Sequence, residues 1–387
     1  MKTLKDLSLK GRTVLVREDL NVPFDDSGIL SYARIDAALE TLEMLIQKGA
    51  KIIVMSHLGR PKGREEKYSL KIVAEALSKR LNRPVPLFGL TDKVPTLQET
   101  SIALLENVRF YEGETDNSEM LAKQYAALCD VFMIDAFGAS HRAHASTTGV
   151  IAYAKEVAVG PLLEKELSML SRALEHPQKP MVAIVGGGKV STKLEALLNL
   201  VEKVDVLVVG GAIANTFLKS KGVFVGRSLV EEPLLAMAQQ ILARAKALGK
   251  TVWLPKDVVV APGIESETAT IKTLDEISDE DQIFDIGPES CQDLKALLSS
   301  AKTIVWNGPM GVFEKRPFAQ GTKALAQAVA ASTAFSIAGG GETLAAVEQC
   351  DVRNEISYLS TGGGAFLEVL EGKILPVVQA LQNRENE

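Results

Sequence analysis

The 387-residue chain holds only three cysteines, Cys129, Cys291 and Cys350, far apart and without a CxxC pair. That excludes a disulfide framework and a cysteine zinc site, and it suits a reducing cytoplasm. No run of 18 apolar residues occurs; the longest candidate, residues 204–218, is interrupted by Asp205 and Asn215, so no membrane span is expected. The N-terminal stretch has no apolar core ahead of its first charges, so secretion is not expected either. A basic excess is missing: the formal charge is −6 and neither half of the chain is basic. Bulk nucleic-acid binding is therefore not indicated, and any anion site must be a local cluster. Repeats of solenoid length and low-complexity tracts are absent too.

What is present is ordinary globular composition, 46% hydrophobic and 24% charged, in a length that fits two domains. Apolar runs of strand length recur at residues 13–16, 51–55, 102–105, 131–134 and 157–159. They recur again at 182–185, 206–209, 251–254, 303–306, 335–338 and 356–359. Many are continuous and β-branched rather than alternating, the pattern of strands buried on both faces. Helical periodicity fills gaps at 34–48, 71–81, 118–128, 234–248 and 323–331. Alternating strands and helices predict parallel sheets covered by helices, and the length fits two of them. The border is expected at a helix over 162–174 and the proline-flanked stretch that follows, His176-Pro177-Gln178-Lys179-Pro180. Residues 256–288, acidic and poor in aromatics, read as a hairpin excursion or a loop.

Ligands of open parallel sheets bind beyond the carboxyl ends of the strands. In the first half those ends are cationic. They read Arg17-Glu18-Asp19-Leu20-Asn21, Ser56-His57-Leu58-Gly59-Arg60, Glu106-Asn107-Val108-Arg109 and Asp135 onward to His141-Arg142-Ala143-His144, with Arg34 near the first helix start. Arg34, Arg60, Arg109 and Arg142, with His57 and His141, fit a small, strongly anionic ligand, because guanidinium binds carboxylate and phosphate bidentately. Asp19 and Asn21 suit hydroxyl groups. The alternative for any single arginine is a solvated surface, and Asp19 and Asp135 also read as structural acids that pair nearby arginines. Metal ligation by His57 and His144 is not supported, since no HxxxH pair sits on a helix.

In the second half the strand ends are glycine-rich: Gly186-Gly187-Gly188-Lys189, Gly210-Gly211, Asn307-Gly308-Pro309, Gly339-Gly340-Gly341-Glu342-Thr343 and Gly362-Gly363-Gly364. Glycine lets backbone N–H groups approach a phosphate, and a following helix presents its positive end. Lys189 and Lys193, read as one helical turn apart, are expected to reach the same polyphosphate. Walker A spacing is absent, because Val190 follows Lys189, and no segment reads GxGxxG.

Taken in order, RxDxNVP at 17–23, SHLGRP at 56–61, LLENVRF at 104–110, DAFG…HRAHAS at 135–146, VGGGKVSTK at 185–193, WNGPMGVFE at 306–314, GGGET at 339–343 and STGGGA at 360–365 resemble the phosphoglycerate kinases over the whole chain. The length is similar to that of the bacterial members. The resemblance implies an α/β fold of two doubly wound, parallel-sheet (Rossmann-like) domains joined by a helix and hinge. One spans 1–170 plus the tail 374–387 and binds 3-phosphoglycerate; the other spans 171–373 and binds nucleotide. It implies reversible phosphoryl transfer between 1,3-bisphosphoglycerate and ADP, in a closed interdomain cleft, with Mg²⁺, by a cytoplasmic monomer of glycolysis and gluconeogenesis. Asp19, Asn21, Arg34, His57, Arg60, Arg109 and Arg142 match positions that hold 3-phosphoglycerate. Lys189, Lys193, Asn307, Glu314, Gly340, Gly341, Glu342 and Thr343 match nucleotide positions, with Glu314 on the ribose hydroxyls. Arg34, Lys189, Gly340 and Gly363 are implied at the transferring phosphoryl group. The family usually has Asp where this chain has Glu342, the acid implied to meet the metal–nucleotide complex. Two rivals remain in view: a non-catalytic sensor of a sugar-acid phosphate, opposed by the intact Arg34, Lys189 and Lys193, and a nicotinamide-dependent dehydrogenase, opposed by the missing GxGxxG.

Overall fold

The computed structural model describes residues 1–92, 95–98 and 100–385. Backbone contacts divide the chain into two units, Met1–Leu167 with Ile374–Glu387, and Ser168–Lys373. The last two residues of the tail, 386 and 387, lie outside the described residues. The unit boundary falls within one helix, Pro161–Leu174.

The first unit is built on six parallel strands. Across the sheet they run Leu87–Phe88, Ile102–Leu105, Lys51–Met55, Thr13–Arg17, Val131–Ile134 and Val157–Val159. The central strands are runs of valine, isoleucine and leucine buried on both faces, as a helix-covered sheet requires. Val14, Val16, Ile52 and Val54 share a core with Leu42 and Leu45 of helix Ala33–Gln47 and Leu77 of helix Lys71–Leu81. The chain order reverses at Thr13–Arg17, which pairs with Lys51–Met55 on one side and Val131–Ile134 on the other. Such a switch point opens a crevice at the carboxyl strand ends. Helix Pro376–Glu385 belongs to this unit, and Arg384 donates to the carbonyls of Ala152 (3.1 Å) and Ala154 (2.7 Å).

The second unit has its own six-stranded parallel sheet, in the order Thr251–Trp253, Val206–Val209, Met181–Val185, Thr303–Asn307, Phe335–Gly339 and Tyr358–Ser360. That is the doubly wound order, with the switch point between Met181–Val185 and Thr303–Asn307. Trp306 is fully buried there, and its indole N–H donates to the Gly308 carbonyl at 2.8 Å. The side chain therefore anchors both the core and the turn that follows the strand. Residues 256–288 are not a loop. They form a three-stranded antiparallel sheet, Thr270–Thr273, Asp257–Ala261 and Gln282–Ile286. Among the described residues no helix is long and apolar enough to cross a membrane.

Candidate functional site

In the first unit the strand ends are tied together before any charged group is placed. Ser56 Oγ accepts from the Leu20 N–H at 2.9 Å, joining two neighbouring ends. Asn107, fully buried, donates to the carbonyls of Leu58 (2.8 Å) and Tyr68 (2.9 Å) and accepts from the Arg109 N–H at 3.1 Å. The loop between them turns at Gly59, whose φ of +64° favours glycine, and a Cβ there would lie 2.3 Å from the Tyr68 ring. Gly59 in turn holds two candidate residues. Its N–H donates to Asn21 Oδ1 at 2.8 Å, and its carbonyl accepts from Arg109 Nη1 at 2.5 Å.

The arginines converge. Arg60, Arg109 and Arg142 line one cavity of 840 Å³ together with His144. Arg109 is pushed down to about 10 by burial and by the neighbouring charges of Arg142, Arg17 and Arg60. Arg34, the second residue of helix Ala33–Gln47, pairs with Asp19 at 2.6 Å. His57 is buried, and burial and then Arg17, Arg109, Arg142 and Arg34 hold it well below the ordinary imidazole range. His144 is lowered to about 4 by burial and by Arg109 and Arg142, and His141, which accepts from Arg142 Nε at 3.2 Å, is lowered as well. The positive charge of this site at neutral pH thus comes from guanidinium groups and from Lys62 at the cavity wall, with no contribution from histidine.

Two residues behave differently from the sequence reading. Asp135 pairs with no arginine among the described residues. It accepts from Thr41 Oγ1 and from the Leu163 N–H (3.0 Å) in the first turn of helix Pro161–Leu174, and burial pushes its carboxyl up to about 7. Arg17 makes its contacts elsewhere. Its guanidinium, almost fully buried, donates from Nε to Ser146 Oγ (3.1 Å), from Nη1 to the Glu18 carbonyl, and meets His57 Nδ1 from Nη2 at 3.2 Å. Arg17 was part of a motif but carried no assigned role.

In the second unit the glycine-rich turns surround the switch point. A cavity of 260 Å³ is lined by Gly187, Gly188, Gly211, Asn215, Pro309, Glu314 and Glu342, among others, and by the antiparallel strand Gln282–Ile286. Gly187, Gly188, Gly211, Glu314 and Glu342 therefore meet, whereas Gly340, Gly341 and Gly363 do not line this cavity; Leu229, Pro255 and Phe284 carry no sequence signal beyond being apolar. Gly340 caps helix Gly341–Gln349 at φ +96°, with Asn307 Nδ2 only 2.7 Å from where a Cβ would be. Asn307 Nδ2 donates to the Gly339 carbonyl at 2.8 Å, while its Oδ1 is buried without a partner. Thr343 Oγ1 accepts from the Gly308 N–H at 2.8 Å and locks that turn.

The lysine pair is not one helical turn apart. A 3-10 turn, Val190–Thr192, separates Lys189 from Lys193, and the α-helix begins only at Leu194. Lys189 is exposed. Lys193 is drawn inward, where its ammonium donates to the carbonyls of Gly186 (2.7 Å) and Asn307 (3.1 Å). Burial lowers it to about 8 against the opposing pull of Glu342. Gly363 heads the short helix Gly364–Leu370 beside the edge strand and is exposed. Glu342 is exposed at the start of helix Gly341–Gln349. Among the described residues no three or more His, Cys, Asp or Glu side chains cluster as a metal cage.

The family model for phosphoglycerate kinase matches residues 4–373. The chain is 51% identical over 387 residues to the phosphoglycerate kinase of Coxiella burnetii (strain RSA 493 / Nine Mile phase I), covering 99% of each. The solved phosphoglycerate kinase structure from Coxiella burnetii matches with a TM-score of 0.95 and 50% identity over 99% of both chains. The phosphoglycerate kinase of Pyrococcus horikoshii OT3 matches with a TM-score of 0.85 and 32% identity over the full length of both.

Proposed function

This chain belongs to the phosphoglycerate kinase family, and from that premise we propose how its residues divide the reaction. The enzyme moves a phosphoryl group reversibly between 1,3-bisphosphoglycerate and ADP, giving 3-phosphoglycerate and ATP, in glycolysis. The first unit takes the three-carbon acid. Arg60, Arg109 and Arg142 hold its anionic groups, with His57 beside them, and Asp19 and Asn21 take its hydroxyl. The convergence of these arginines on one cavity, with every neighbouring histidine held neutral, is the observation that carries this assignment. Arg34 must exchange its Asp19 partner for the incoming phosphoryl oxygens.

The second unit takes the nucleotide. Gly340, Gly341 and Thr343 present backbone and hydroxyl groups at a helix start, Glu314 takes the ribose, and Asn307 offers an unpartnered acceptor. Lys193 meets the phosphates from within, and Lys189, exposed and unconstrained by the helix, reaches the transferring group. Gly363 belongs to the same side of that sheet. Magnesium suits Glu342, because that ion is commonly held by one or two carboxylates plus substrate phosphates. Bound with the nucleotide, it neutralises phosphate charge.

The attacking carboxylate of 3-phosphoglycerate is ionised at neutral pH, so no general base is needed. That agrees with a site whose histidines are neutral and whose cations are fixed. Catalysis is then positioning and charge stabilisation by Arg34, Lys189 and the glycine amides. The reading includes a cytoplasmic monomer. A crossed kinetic test checks the division of labour. Arg109→Ala should raise KM for 3-phosphoglycerate about 10–100-fold, the cost of one charged hydrogen-bonding group, and leave KM for ATP alone. Lys193→Met should do the reverse; a variant that raises both KM values equally contradicts the assignment.

A further inference from the structure

The contact between Arg17 and His57 fixes where the imidazole proton sits. Guanidinium carries five N–H donors and no acceptor. Arg17 Nη2 lies 3.2 Å from His57 Nδ1, so a proton on Nδ1 would set donor against donor. Nδ1 must accept, and the single imidazole proton then sits on Nε2. The one hydrogen-bond contact of the ring among the described residues is at Nδ1, so Nε2 is left without a partner, and the residue is 4% exposed.

We propose that Arg17 is a positioning residue that locks His57 as the Nε2–H tautomer, so that the ring offers the substrate anion a fixed, uncharged N–H donor. Arg17 is itself held for this purpose. Its Nε donates to Ser146 Oγ, and Ser146 Oγ donates to Glu114 Oε1 at 2.5 Å, so a buried carboxylate balances the buried guanidinium. Ser56 Oγ lies 3.4 Å from Nη1 and closes the other side. The charged groups that act on the ring come from every element around it. They are Arg17 at the end of Thr13–Arg17, Arg34 on helix Ala33–Gln47, Arg109 on the turn Val108–Phe110, and Arg142 in the loop beyond Phe137–Ala139. Glu114, Asp19 and Glu18 act on Arg17 and favour its charged form. A protonated imidazole would face four cations and lose its Nδ1 acceptor. A neutral donor adds direction without adding to that repulsion, which lets four arginines and a histidine share one small site. What the N–H binds rests on the assignment of the first unit's strand ends to 3-phosphoglycerate; the tautomer does not.

The test is nitrogen–proton NMR of the full-length ¹⁵N-labelled protein without ligand, with the His57 signals identified by their loss in His57→Gln. The expected spectrum is the neutral Nε2–H pattern, unchanged from about pH 6 to about pH 8. An Nδ1–H pattern, or a titration near the ordinary imidazole value, overturns the proposal. Arg17→Met supplies a second readout. Burial and the three remaining arginines keep its ring neutral, but Nδ1 no longer faces a donor, so its spectrum should show an Nδ1–H population that the parent lacks, with KM for 3-phosphoglycerate raised about three- to tenfold. A variant spectrum that stays entirely Nε2–H means Arg17 is merely structural and overturns the proposal. Should Arg17→Met not fold, the spectrum of the parent protein decides. A ring in the expected tautomer that ignores added 3-phosphoglycerate leaves the lock standing and removes the strand-end assignment.

Discussion

Lys193 offers a prediction whose size follows from two hydrogen bonds and a burial. Its ammonium is withdrawn from water and held by two carbonyls, with only Glu342 as a charged counterweight, and its pKa falls from 10.5 to about 8. Nucleotide phosphates arriving beside it supply the missing negative charge and raise that value again. A full return to 10.5 corresponds to about 3 kcal/mol of coupling between the proton and the nucleotide. The sign is fixed by linkage. Below about pH 8 the lysine is already charged and affinity does not depend on pH; above it, a proton must be bound along with the nucleotide. Affinity should therefore fall roughly tenfold per pH unit between about pH 8 and about pH 10. Calorimetry in buffers of different ionisation enthalpy should also show about half a proton taken up per nucleotide near pH 8. Lys193→Met should bind weakly at every pH, with no such slope and no proton uptake. A parent protein whose nucleotide affinity is flat from about pH 7 to about pH 10 refutes the reasoning. The lysine would then be either normally solvated or distant from the phosphates.

Three further outcomes are expected. Gly59→Ala, which forces a Cβ into the Tyr68 ring at a positive φ, should cost about 2–4 kcal/mol and lower the Tm of the first unit by about 5–10 °C; an unchanged melt would mean the loop simply shifts. Asp285 is pushed up to about 7 from 3.8 by burial. The stability it contributes is therefore full below about 3.8 and lost as pH rises through about 7, at about 1.4 kcal/mol per unit. Urea midpoints should show that slope, and Asp285→Asn should flatten it. Glu342→Asp should shift the Mg²⁺ dependence of the reaction severalfold, since a shorter arm meets an ion that demands close oxygen contacts; identical Mg²⁺ and nucleotide curves would take this residue off the metal.

Much of the fold was legible because buried parallel strands announce themselves as continuous β-branched runs, and each of those runs is a strand here. What escaped lacked that signal. Leu87–Phe88 is an edge strand of two residues. Helix Gly211–Ser220 follows strand Val206–Val209 after a single glycine, so one apolar run shows no boundary between the two. The site followed the same logic. Arg60, Arg109 and Arg142, each in the segment that follows a strand, line one cavity because parallel strand ends gather at one edge of the sheet. The Lys189/Lys193 spacing misled because a 3-10 turn breaks the helical count. Arg17 gave no warning because it is the last residue of its strand, and sequence does not tell whether such an arginine faces ligand or core. Asp135 was expected beside an arginine, but the helix start at Leu163 and the Thr41 hydroxyl take both its oxygens.

The most direct test of the catalytic assignment is a coupled assay with 3-phosphoglycerate and MgATP on the parent and on Arg34→Ala. Acyl phosphate is followed by NADH loss through glyceraldehyde-3-phosphate dehydrogenase. The parent should turn over only with both substrates and Mg²⁺. Arg34→Ala should lose about 10²–10³-fold in kcat with KM for ATP unchanged, as expected for a cation used mainly in the transition state. A defect confined to KM, with kcat intact, would contradict it and leave Arg34 as no more than the partner of Asp19.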